Sequence, residues 1–431
     1  MLRPVWLIFI MPISIILEHV HIPIFGNMAQ AITIAGIYLI SLNYTMNNRN
    51  NQNPKIIDMG LIALFYMLVT SSIISAINGP FGYLTGLYYV FTTWCLRGLM
   101  TYFVFKGVTS ERDLSLCFIS IFITLVVIII GVAGNMIAFG DLFFLRANIG
   151  EFAESRISYT IFSNANQLSR FILTIMPLLF VYSVNLKNKF FCRTIRIICL
   201  LCATVPFLGI SRAAMLSMTL VMLSLLWWLK ERTYIFIFLI CTAVFFTNPL
   251  VMERLEQAHE LGLELGKRKE TAEVSLLSIA QHPFFGTGMR SIMEIMEKGG
   301  GPTMGEDYQG KTGVSEHNYY LLTMVQSGVV GLIILLLLLI KYMVFLYRNI
   351  GKTHDNFTNN LLIGSLLALS GIILTTFTGG ALDENIIWYQ VGLTLAIIKI
   401  KVVYPARGKK QLNSLLMSKQ RPNMISLVTI H

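Results

Sequence analysis

Apolar runs of about 17–25 residues recur along the whole chain, and that is the length at which an α-helix crosses the hydrocarbon of a bilayer. No water reaches their backbone N–H and C=O groups there, so each run must pair its own backbone and fold as a helix. With 431 residues, 55% hydrophobic, only 13% charged and a mean hydropathy of +0.68, the chain is no soluble enzyme. The expected fold is all-α, a polytopic membrane protein with about 12 transmembrane helices. The apolar pattern places them at roughly 4–22, 28–46, 57–78, 83–105, 114–139, 167–185, 195–210, 213–229, 234–250, 318–346, 360–379 and 384–402. The first two are the least sharply bounded, because Glu18, His19 and His21 interrupt the run. MLRPVWLIFIMPISII carries a positive residue and then an apolar run, with no small-residue cleavage site behind it. It therefore reads as a first span and not a removed signal.

A net charge of +11 could suggest nucleic acid, but the distribution of the charge points to a membrane. With both termini in the cytoplasm, Arg49/Lys55, Lys106/Arg112, Lys187/Lys189/Arg193/Arg196, Lys230/Arg232 and Arg348/Lys352 all fall inside. The basic tail, with Lys399, Lys401, Arg407, Lys409, Lys410, Lys419 and Arg421, joins them there. That bias fits a multi-pass membrane protein whose tail is solvated or touches anionic lipid headgroups. No nucleic-acid partner is implied. Two long connections, 140–166 and 251–317, then lie on the extracytoplasmic side. The second holds 11 acidic residues against seven basic ones, and long connections of this kind usually serve as lids or binding elements. The chain thus divides into N-terminal helices (1–139), a central segment with the long loop (140–346), C-terminal helices (347–402) and a basic tail (403–431). Cys199-Leu-Leu-Cys202 has metal-like spacing but sits in an apolar run with no second pair and reads as buried apolar thiols; the six cysteines lie in or beside apolar segments and imply no disulfide framework.

Chemistry concentrates near the outer face. Arg156, Arg170, Arg212 and Arg268 oppose the orientation bias, so each needs another reason to be there. Guanidinium forks bind phosphate oxygens bidentately and keep their charge; the plainer reading of any one of them is interfacial snorkelling. Arg97 lies inside a span, either as a functional intramembrane charge or as a partner for a neighbouring carboxylate. Where the long loop returns to the membrane, Glu316 opens EHNYYLLTMVQSGVVG. In a helix starting at His317, Gly328 falls about 20° from three full turns and Gly331 about 40° to the other side. One stripe would then carry a near-neutral titratable group above two glycines that admit a close neighbour. No Asp-x-Asp, His-Glu-x-x-His or Gly-rich nucleotide loop is present, and Glu306-Asp307 in the long loop is the acidic pair that would be the place for a divalent ion.

His317-Asn318-x9-Gly328-x-x-Gly331 resembles the signature of the O-antigen ligase superfamily, which includes O-antigen and exopolysaccharide polymerases. Three further stretches are similar to its motifs. They are Ser211-Arg212-Ala213-Ala214, Arg268 ahead of Pro283-Phe-Phe-Gly286-Thr-Gly288, and Arg156 followed by FSNANQLSRF. Together they cover about residues 150–345. The chain departs from the pattern in lacking a proline between Asn164 and Asn166 and an aromatic after the loop arginine.

The resemblance implies a membrane-embedded glycosyltransferase that works without metal or cofactor on the periplasmic face. Its donor would be a glycan on undecaprenyl diphosphate, gripped by Arg212, Arg268 and Arg156. His317 would be the catalytic base toward an acceptor sugar hydroxyl. Asn318, Arg170 and Arg97 would serve substrate or structure, and Gly328 and Gly331 would shape the lipid groove. The acceptor is lipid A core for a ligase or a lipid-linked repeat unit for a polymerase, and the residues favour neither. The competing class is a lipid-linked oligosaccharide flippase. Against it, the polar groups pool at one face and do not follow a path through the midplane.

Overall fold

The computed structural model describes residues 4–16, 21–22, 26–46, 58–78, 83–139, 165–208, 212–247, 272, 275–288, 318–352, 355–377, 382 and 384–403. Helices dominate them: α1 (Pro4–Ile16), α2 (Met28–Met46), α3 (Met59–Asn78), α4 (Tyr83–Val90), α5 (Leu96–Gly107), α6 (Glu111–Phe139) and α7 (Ala165–Val184). These are followed by α8 (Lys189–Leu208), α9 (Arg212–Trp228), α10 (Arg232–Phe246), α11 (Tyr319–Asn349), α12 (Asn356–Thr375) and α13 (Asn385–Ile398). A two-residue antiparallel ladder, His21–Ile22 against Gly26–Asn27, is the strand structure among the described residues. Among the described residues, seven helices are long and apolar enough to cross a membrane, and four shorter apolar ones accompany them. The protein is an all-α polytopic membrane protein.

Helices occur at all twelve expected positions, but their ends follow hydrogen bonding and not hydropathy. α8 begins at Lys189, ahead of the apolar run, because the side chain of Asn188 accepts the amides of Phe190 (3.0 Å) and Phe191 (3.2 Å). The first segment is shorter than expected: α1 stops at Ile16 and the ladder strand His21–Ile22 follows within five residues. α4 and α5 form one rod widened at Phe91–Cys95 into a π turn. There the guanidinium of Arg97 donates to the carbonyls of Thr92 and Thr93, both at 2.7 Å. The wide turn leaves carbonyls for the arginine to satisfy, which is how this charge is held inside a helix bundle.

The α3–α11, α12–α7 and α12–α9 pairs are antiparallel, whereas α5 and α13 run parallel. α3 lies along α11, α5 along α13, and α12 between α7 and α9. Cross-links sort the residues into two ends. At one end are the ion pairs Lys341–Asp58 (3.5 Å), Arg196–Glu231 (3.0 Å) and Lys401–Glu111 (2.6 Å), and the Trp228–Asn360 hydrogen bond. At the other end are Arg170–Glu384, the start of α11 and the C-terminus of α12. The basic connections 106–112, 185–196, 228–232 and 348–352 therefore share one end, and Asn318 and the start of α9 share the opposite one. An apolar cavity of about 670 Å³ opens between α3, α5, α11 and α13, lined by Phe65, Tyr102, Leu338 and Trp388 among others. Among the described site residues expected from sequence, Arg97, Arg170, Asn318, Gly328 and Gly331 do not line it.

Candidate functional site: a broken helix clamped by a loop

The return from the long loop into the membrane begins with a cap. The side chain of Asn318 accepts the amides of Tyr320 (2.9 Å) and Leu321 (3.2 Å), two of the donors that a helix N-terminus leaves unpaired. The helix therefore starts at Tyr319 and not at His317, and Asn318 has a structural task. Tyr319 N donates to the carbonyl of Thr376 (3.0 Å). The Thr376 hydroxyl donates to the Tyr320 hydroxyl (2.9 Å), which in turn reaches the Ile373 carbonyl (3.3 Å). The first turn of α11 is thus bolted to the last turn of α12.

Ten residues in, the helix breaks. Gly328 adopts φ 68° and ψ −173°, a conformation open in practice to glycine alone. The expected single stripe of His317, Gly328 and Gly331 is corrected here, because helical register does not carry across this break. Gly328 admits a loop and not a neighbouring helix. Thr287 N donates to Val325 O (2.7 Å) and Gly288 N to Gln326 O (3.1 Å), satisfying carbonyls at the end of the first half-helix. Val329 N and Val330 N donate to Pro283 O (2.9 Å) and Phe284 O (3.3 Å), satisfying amides at the start of the second. The Thr287 hydroxyl adds a bond to Val325 O (3.0 Å), and Ser75 on α3 reaches Gln326 O. Gly286, at φ 70°, lets this loop turn against Val325. Gly331 is buried one turn below, close to Ser327 of its own helix and to Ser71 of α3. The Pro-x-x-Gly-x-Gly and Gly-x-x-Gly motifs, far apart in sequence, are two halves of one backbone device.

Of the four outer arginines, Arg170 is fully placed. It is buried and holds Glu384 through Nε (2.7 Å) and Nη2, joining the start of α7 to the residue ahead of α13. Glu384 went unnoticed in the sequence, where the only signal is a carboxylate immediately ahead of an apolar span. Removing one partner of a buried pair strands a charge, at a cost of about 3–5 kcal/mol. We expect Glu384→Gln to lower the thermal stability of the detergent-solubilised protein strongly, and the double change Arg170→Met/Glu384→Leu to restore most of it. A Glu384→Gln protein as stable as the parent would contradict the pairing.

Arg212 begins α9 by its backbone, and its side chain is outside the description. His317, Arg156, Arg268, the Glu306-Asp307 pair and the tail beyond 403 also lie outside the described residues. The structure therefore brings together the loop 282–288, Asn318, Gly328, Gly331, Arg170 and Glu384 at one end of the bundle, with the helix start of Arg212 at that same end.

Residues 197–336 match the family model described as O-antigen ligase. The matched segment is about a third of the chain and contains three of the four motifs; Arg156 and Arg170 lie before it. It runs from α8 through the long connection to Leu336, eight residues beyond the break in α11. The resemblance to the O-antigen ligase and polymerase superfamily is borne out by this match. The class of activity it carries is glycosyl transfer in polysaccharide biosynthesis, on lipid-linked glycans. No curated protein is similar enough to the chain to count as a match.

Proposed function

We propose that the protein transfers a glycan from undecaprenyl diphosphate to an acceptor sugar hydroxyl at the periplasmic face of the bacterial inner membrane. The observation that carries this reading is the interlock of two family motifs at the end of the bundle opposite its basic connections. Positive-inside bias assigns the basic end, with both termini, to the cytoplasm. The motif end then faces the periplasm.

In this reading His317, the residue before the Asn318 cap, takes the proton from the acceptor hydroxyl. The freed oxygen attacks the anomeric carbon, the bond from that carbon to the diphosphate oxygen breaks, and undecaprenyl diphosphate leaves with the electron pair. Arg212 and Arg268, with Arg156, hold the diphosphate and absorb its developing charge, so neither a metal ion nor a general acid is needed. Arg170 is the exception among the outer arginines, since its fork is committed to Glu384. Both family activities use this donor chemistry. The acceptor is lipid A core for a ligase and a lipid-linked repeat unit for a polymerase. A flippase would need polar groups along a path through the midplane.

Arg212→Lys and Arg268→Lys test the clamp. Lysine keeps the charge but loses the planar fork, so each variant should lose at least tenfold in polymer transfer at normal protein level. Full activity of both, read by polysaccharide gel in a complemented deletion strain, would remove the arginines from diphosphate binding.

A further inference from the structure

The loop that clamps Gly328 lies at a depth that can be measured along two helices. α11 has 31 residues, about 46 Å of helix, against a hydrocarbon core of about 30 Å. Shared equally between its ends, the excess puts Gly328, ten residues in, about 6 Å beneath the hydrocarbon boundary. α3 gives an independent reading. Its 20 residues just span the core, and Ser75 and Ser72, which meet Gln326 and Ser327, lie three and six residues before its end. That level is again about 5–9 Å inside.

At this depth the clamping segment presents mostly apolar side chains outward, with Gln281 and His282 as exposed polar exceptions at its turn. Leu276 (55% exposed), Leu277 (51%), Phe284 (69%) and Phe285 (37%) are uncovered, while Ser275, Ser278, Thr287 and both loop glycines turn inward. Irregular backbone at membrane depth is tolerated where protein satisfies its polar groups, and α11 does so for Pro283, Phe284, Thr287 and Gly288. The outward face is continuous in character with the exposed apolar belt of α11 itself, Ile333, Leu336, Leu337 and Ile340.

We propose that residues 275–288 form a re-entrant element of the long loop, with Leu276, Leu277, Phe284 and Phe285 embedded in the hydrocarbon of the leaflet at the motif end. The part of the loop that reaches the broken helix then approaches from within the lipid and not from the water above it. This holds whether or not the protein transfers glycans.

Site-directed spin labelling tests it in the full-length protein reconstituted into phospholipid bilayers. Cys95, Cys192 and Cys241 are replaced by serine, whereas Cys117, Cys199 and Cys202 are buried and stay. Single cysteines at Leu276, Leu277 and Phe284 carry the nitroxide, with Ile333→Cys as the lipid-facing control and Lys187→Cys as the aqueous one. Embedding predicts that collision with dissolved oxygen exceeds collision with a water-soluble nickel chelate at Leu276 and Phe284, by a ratio close to that at Ile333 and several-fold above that at Lys187. Ratios matching Lys187 at these sites would overturn the proposal. Leu277 guards against a single substitution that displaces the loop.

Discussion

Replacing His317 with alanine should abolish polymer transfer while the protein still inserts and accumulates at its normal level. A positioned general base contributes about 10²–10⁴-fold, and the acceptor hydroxyl has no other near-neutral base in the proposed scheme. The substitution removes no part of the helix cap. Asn318 supplies that cap, and the Tyr319–Thr376 and Tyr320–Thr376 bonds fix the first turn. Loss of activity with an unchanged melting temperature is therefore the expected pair of results. Transfer within a few-fold of the parent, read by polysaccharide gel after complementation, would take His317 out of the mechanism.

Gly328→Ala should be as damaging, by a different route. An L-residue at φ 68° and ψ −173° carries strain of about 1–3 kcal/mol, and a Cβ there would overlap the Phe284 carbonyl. The four loop-to-helix backbone bonds cannot then form together, and each is worth about 1 kcal/mol net. The helix can relieve the strain by expelling the loop and closing its own ladder. We expect at least 100-fold loss of transfer with the protein still membrane-inserted, and the same from Gly286→Ala, which acts on the other half of the clamp. Gly134, a helical glycine in α6 with open space around it, is the control: Gly134→Ala should be neutral or slightly stabilising. If Gly328→Ala behaves like Gly134→Ala, the break is not needed for activity.

The helices were legible because a membrane leaves little choice: a run long enough to span must be helical, and charge bias arranges the connections. Their ends were less so, since α8 starts in polar residues that hydropathy excludes. The break in α11 was invisible for a physical reason. Residues 319–349 read as one apolar helix, and a glycine inside a membrane helix more often permits close packing than a change of direction. Its cause lies in the 282–288 loop, whose backbone amides and carbonyls do the clamping, and backbone carries no sequence signature of its partner. The glycines themselves were visible as Pro-x-x-Gly-x-Gly and Gly-x-x-Gly; that they meet was not. Arg170 was visible too, but Glu384 is 214 positions away, so the pair that commits this arginine to structure emerges only from the fold.

Glycosyl transfer itself is tested most directly by the purified protein in liposomes with a lipid-linked repeat unit as donor, alone or with lipid A core. The expected result is a lengthened glycan together with release of undecaprenyl diphosphate in the presence of EDTA, lost in His317→Ala. Product from the donor alone marks a polymerase, and product that requires lipid A core marks a ligase. Movement of the lipid-linked glycan across the bilayer with no new glycosidic bond would contradict the account and make the protein a transporter.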